Sequence, residues 1–156
     1  MKKINIVAVG SLKENFFKQA QDEYLKRLKK YCEINVVELA EKSLPQKPSE
    51  SEINKALDFE AESILPHLKG KVVVCAVEGK GQSSEEFART MGKAFDSDGQ
   101  ITFVVGSSYG LSQKIKKNNT LLSFSSMTFP HHLMRIFLEE QIYRAFTILS
   151  GQTYHK

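Results

Sequence analysis

Residues Ile101 to Lys117 read ITFVVGSSYGLSQKIKK. Ile101 to Val105 is an apolar run of strand length, rich in β-branched residues. Gly106 to Gly110 is a glycine- and serine-rich turn, and a short helix with Lys114, Lys116 and Lys117 follows. Strand, tight turn and helix in succession make the unit of a layered α/β fold.

The same alternation extends in both directions. Upstream, Ile4 to Val9 is a near-continuous apolar run, as expected of a strand covered on both faces. Residues 14–30 carry Phe17, Ala20, Tyr24, Leu25 and Leu28 at helical spacing. Ile34 to Leu39 is a second strand, and Pro45 and Pro48 mark a loop. Ser49 with Glu52 forms a capping box for a helix that Pro66 stops. Val72 to Val77 is a third strand, and Ser83 with Glu86 caps a helix to about Phe95. Downstream, Leu121 to Phe124 is a fifth strand. The final helix runs from about Pro130 to Leu149, with Thr128 as its expected cap and Gly151 as its stop. Met134, Phe137, Leu138, Ile142, Ala145, Phe146 and Leu149 form its expected buried stripe. Arg135, Glu139, Gln141, Tyr143 and Arg144 fall outside it. The expected architecture is one α/β domain over residues 1–156, a mostly parallel sheet flanked by helices.

Ligands of such sheets bind beyond the carboxyl ends of the strands. Three turns qualify: Glu78 to Gly81, Gly106 to Gly110, and Phe124 to Phe129. Charge gathers in the same region. From Gly106 onward six Lys/Arg stand against two acids, whereas residues 1–105 hold sixteen of each. Three of the four histidines also lie there, and a localised positive surface favours a nucleic acid. The chain ends in Tyr154-His155-Lys156, three ionisable side chains where termini usually fray. That ending predicts a tail folded back into a site.

Several motifs have plainer readings. Gly106-x-Ser108-x-Gly110 matches a serine-hydrolase elbow, with Glu140 and His155 following in order. A turn that lets backbone approach a ligand needs the same glycines. Glu78 to Gly81 lacks the spacing of a P-loop and reads as a tight turn. His131 and His132 have no acidic or thiol ligand at metal spacing, so no metal is expected. Cys32 and Cys75 read as two reduced thiols of a cytoplasmic protein. No apolar run approaches the ~20 residues needed to span a bilayer.

Over its full length the chain resembles the RlmH (YbeA) family, the small SPOUT-class 23S rRNA (pseudouridine-N3)-methyltransferases. The resemblance rests on Ala8-Val9-Gly10 with Leu12-Lys13; Tyr24 to Arg27; Gly79-Lys80 with Ser83-Ser84-Glu85; and Phe103 to Gly106 with Gly110-Leu111-Ser112. Longer blocks are Leu122 to Ser125 with Met127 to His131, and Glu140 to Phe146 with Tyr154-His155-Lys156.

The resemblance implies a SPOUT fold with a C-terminal trefoil knot, a homodimer, and S-adenosyl-L-methionine as methyl donor. It implies methylation of N3 of a pseudouridine in 23S rRNA or the assembled ribosome, with no role for DNA or membrane. The cofactor would meet Cys75, Gly106, Phe124, Ser125, Ser126, Met127, Thr128 and Phe129. His155, Tyr154 and Arg144 would carry the chemistry, His155 as base by its intrinsic pKa. Ser107, Ala76, Ser126 and His132 differ from the family pattern, which has a second glycine where Ser107 stands. A disabled pocket would leave an RNA-binding module.

Overall fold

The computed structural model describes Met1–Lys156. Five strands and five α-helices alternate: β1 Lys3–Val9, α1 Asn15–Leu28, β2 Glu33–Leu39, α2 Glu50–Ile64, β3 Lys71–Gly81, α3 Ser84–Asp98, β4 Gln100–Val105, α4 Gln113–Lys116, β5 Thr120–Ser123 and α5 His131–Leu149. Both capping boxes form. Ser49 and Ser83 accept from the amides of Glu52 and Glu86, whose carboxylates accept from the serine amides in return. Pro66 lies in a single 3-10 turn, Leu65–His67, that ends α2.

The strands pair in the order β2-β1-β4-β3-β5, and every pairing is parallel. Alternate side chains of β1 and β4 point to opposite faces. Ile4, Ile6, Ala8 and Phe103 pack with α1, α3 and α5, while Val7, Val9 and Val104 pack with α2 and α4. Fully burying Leu138, Ile142 or Phe146 of α5 contributes about 1.5–3 kcal/mol each.

Three expectations need correction. Glu78 to Gly81 is strand, not turn: β3 shifts register between Cys75 and Lys80 and then pairs again with Leu122 and Ser123 of β5. A Cβ on Gly79 would sit 2.7 Å from the Leu121 backbone, so glycine there permits the close pairing. Thr128 does not cap α5. Pro130, in extended backbone, takes that place with no side-chain cap, which moves Thr128 out of reach of the first turn.

The buried stripe of α5 is also wider than its apolar periodicity indicated. Phe137 and Leu149 are exposed, whereas Arg135, Glu139 and Tyr143 are buried. Packing against both α1 and α3 encloses most of the helix circumference. Arg135 is buried with partners: it pairs with the Glu38 carboxylate and donates to the Gly10 carbonyl at 3.0 Å. Glu139 has none, and burial pushes its carboxyl up to about 8.

Those contacts place the start of α5 at the carboxyl end of β1, although β5 is the edge strand on the far side of β3. Three strand spacings separate β5 from β1, about 14 Å. Residues 124–130 therefore cross over the carboxyl ends of the sheet.

Candidate functional site

The crossing segment, the turn after β4 and the bulged part of β3 enclose a cleft of about 750 Å³. Cys75, Gly106, Phe124, Ser125, Met127, Thr128 and Phe129 all line it, and Ser126 does not. Pro130, His131 and Met134 add the first turn of α5 as a wall.

Gly106 is required by close approach. A Cβ there would lie 2.4 Å from the Gly110 carbonyl oxygen and 2.8 Å from the Leu111 side chain. Ser107 bridges to Gly110, whose amide donates to the Ser107 carbonyl at 2.9 Å. Asn118 is the one non-glycine residue with positive φ, so the serine side chain at 107 imposes no backbone strain. The opposite loop is braced by its own serines: Ser123 donates to the Ser125 carbonyl, and the Ser125 hydroxyl accepts from the Met127 amide.

The exposed wall is more apolar than polar, with Val105, Leu111, Leu122 and Phe124 among its lining residues. Burial pushes the Cys75 thiol up to about 12, so it stays neutral. Lys116 is the one lysine or arginine on the wall, and Glu78 holds it at 2.6 Å. That ion pair keeps the Glu78 carboxyl below its usual range. Burial, reinforced by His132, lowers the pKa of His131 and favours its neutral form. The cleft therefore offers no unpaired strong cation for a phosphate chain. Its size and lining suit a small organic molecule without phosphates. Val77, Tyr109 and Met127 surround it with exposed apolar surface.

The terminal residues are ordered, but they do not line this cleft. They fold back on the C-terminal half of α5. Tyr154 donates to Glu140 at 2.6 Å, and Arg144 donates to the same carboxylate at 3.0 and 3.3 Å. The Arg144 guanidinium also lies 4.9 Å from the centre of the Tyr154 ring and 3.0 Å from Nδ1 of His155. The hydrogen bond to Glu140, more than desolvation, pushes the Tyr154 phenol up to about 12, so it keeps its proton at neutral pH. All three expected catalytic residues meet at Arg144, which touches both Tyr154 and His155, while Glu140 binds Arg144 and Tyr154. Glu140 is six residues beyond Met134, the last wall residue of α5, and Arg144 ten, which at 1.5 Å per residue sets the cluster about 9–15 Å along the helix from the cleft wall.

The hydrolase arrangement does not form. Ser108 lies on the cleft, and no hydrogen bond joins it to His155 or Glu140. The helix after its turn begins only at Gln113 and is four residues long. The basic cluster is partly neutralised: Lys114 pairs with Glu62 at 3.8 Å, and Lys116 with Glu78.

Sequence reasoning passed over Arg135 and Glu139. Their signal was an i, i+4 charge pair inside a helix otherwise apolar on most sides. It placed Glu85 in a family block but assigned it no role, its partner lying 70 residues away.

Residues 1–155 match the family described as "Predicted SPOUT methyltransferase". Two proteins of Clostridium botulinum, each named "Ribosomal RNA large subunit methyltransferase H", are 46% identical (strain Langeland) and 45% identical (strain Loch Maree) to this chain. Each comparison covers 98% of this chain and 99% of the relative. A solved structure described as "Structural insights into the 2-OH methylation of C/U34 on tRNA" shares the fold, with a TM-score of 0.50 at 13% identity over 97% of this chain and 99% of that one.

Proposed function

The chain belongs to the SPOUT methyltransferase family, and from that we propose that it transfers a methyl group from S-adenosyl-L-methionine to N3 of a pseudouridine in 23S rRNA of the large ribosomal subunit. The observation that carries this reading is the cleft at the ends of β3, β4 and β5, apolar-walled and without an unpaired lysine or arginine. It fits a phosphate-free nucleoside bearing a sulfonium. The names of the relatives support the RNA substrate.

Cys75, Gly106 and the loop Phe124 to Phe129 would hold the cofactor, with Ser126 exposed and outside the cleft lining. The cofactor supplies an electrophilic methyl group. The protein supplies alignment and dryness, and fixed alignment alone contributes up to about 7–11 kcal/mol in favourable systems. The imide proton on N3 must also leave. Tyr154 holds its own proton too tightly to act as base and is suited to orienting the nucleobase. Arg144, oriented by its bonds to Glu140, would stabilise the anion that develops on the base. His155 is the group to accept the proton, worth about 10²–10⁴-fold in rate.

The distance between cleft and tail points to a homodimer. The partly exposed face of α5 carries Leu133, Met134 and Phe137 toward one end, and Glu140, Gln141 and Arg144 toward the other. Antiparallel pairing of two such faces about a two-fold axis is isologous and would bring one chain's tail over its partner's cleft. The reading includes one domain over residues 1–156, a trefoil knot made by threading residues 124–130 through the turn after β4, and work in the cytoplasm. No helix is long and apolar enough to cross a membrane.

Mass mapping of 23S rRNA from cells with and without the gene tests the reading. One N3-methylated pseudouridine should disappear on deletion and return when purified protein and S-adenosylmethionine are added to ribosomes. An unchanged modification map would refute it.

A further inference from the structure

Ser83 to Glu86 are four consecutive residues that share three tasks. Ser83 and Glu86 close the capping box that fixes the first turn of α3. Ser84 donates to Gln141 of α5 at 2.7 Å. Glu85 meets the tail: its Oε1 lies 2.7 Å from Nε2 of His155. The start of α3 is thus bound to α5 and to the end of the chain at adjacent positions.

We propose that Glu85 is a positioning residue for His155, holding the imidazole as the Nε2–H tautomer with its Nδ1 lone pair turned to Arg144. A guanidinium only donates, so Nδ1, 3.0 Å from Arg144, must accept. A neutral imidazole has one N–H, which therefore sits on Nε2 and donates to Glu85. The carboxylate is suited to the task. It occupies the first turn of α3, where the helix dipole favours negative charge, and the His155 hydrogen bond further lowers its pKa. The charged and titratable groups around the imidazole are Glu85 from α3, Arg144 and Glu140 from α5, and the Tyr154 phenol. Of these, Glu85 is the one acceptor bonded to Nε2.

Held this way, both ring nitrogens are engaged. The lone pair that would accept a proton faces Arg144, so His155 becomes a base only when Nδ1 turns from the guanidinium to the substrate. Glu85 keeps the proton on Nε2 during that turn and so decides which nitrogen is basic. This kinetic consequence rests on the proposed methyl transfer; the tautomer does not.

Ring ¹⁵N NMR of the full-length protein without RNA, beside methyl-transfer kinetics, provides the test. The wild type should show one His155 tautomer, protonated on Nε2. Glu85→Ala should mix the two tautomers and lower kcat about tenfold while leaving the cofactor KM within about twofold. Glu85→Asp should restore the single tautomer and part of the rate. A wild-type signal protonated on Nδ1, or a Glu85→Ala spectrum identical to wild type, overturns the proposal. A wild type with the expected tautomer but no methyl transfer leaves the role of Glu85 standing and defeats the functional reading instead.

Discussion

The two ends of α5 are built on opposite plans. At its start, Met134 and His131 help wall an open cleft of apolar side chains and peptide groups, with its one lysine already paired. At its end, Glu140 and Arg144 join Tyr154, His155 and Glu85 in a continuous chain of hydrogen bonds in which each side chain has a polar partner. The first arrangement gains by excluding water around a bound molecule. The second fixes orientation and protonation, because each donor is matched to one acceptor. On the proposed reading, binding and proton handling are segregated along about 20 Å of one helix, so altering either should leave the other intact.

The sharpest way to break this division is at Gly106. Gly106→Ala forces a Cβ against the Gly110 carbonyl and must displace the turn that walls the cleft. Calorimetry should show S-adenosylmethionine affinity reduced by about 10³-fold, with the tail cluster intact by NMR. Affinity within threefold of wild type would show that this turn does not form the cofactor wall.

Arg144→Ala tests the opposite end. It removes the partner of Glu140 and of His155, and kcat should fall about 10²-fold while cofactor affinity stays within threefold of wild type. A parallel loss of affinity would mean that the two ends are coupled rather than divided.

A smaller effect tests the middle of the helix. Glu139 is buried without a hydrogen-bond partner, and burial raises its pKa to about 8. Above the unfolded-state value of about 4.3, the unfolded chain releases this proton while the folded chain keeps it. Its contribution to stability is therefore greatest at low pH and declines as pH rises toward 8. Between pH about 5.5 and about 6.5 the wild type should lose about 1.4 kcal/mol on this account, and Glu139→Gln should abolish that part of the slope in denaturant titrations. Equal slopes in the two proteins would show that Glu139 is ionised in the fold.

Much of this arrangement was legible in the chain. The apolar runs placed β1, β2, β4 and β5 to within a residue, and the Ser-x-x-Glu boxes placed the starts of α2 and α3. Seven of the eight expected cofactor positions line one cleft, because parallel sheets collect their turns at one edge. Glu78 to Gly81 misled because two glycines read as a turn in isolation, whereas pairing to Leu122 and Ser123 overrides that preference. Arg135 and Glu139 misled because charge on a helix normally marks the solvent face, and here packing by α1 and α3 leaves little such face.

Local pattern sufficed for the elements, their capping and the α/β class, since each depends on neighbours within one or two turns of chain. The family motifs named the residues that would meet. The strand order β2-β1-β4-β3-β5, the burial of Arg135 against Glu38, and the grip of Glu85 on His155 were decided only in three dimensions. Each joins groups tens of residues apart, and no periodicity within a segment records which distant segment will pack against it.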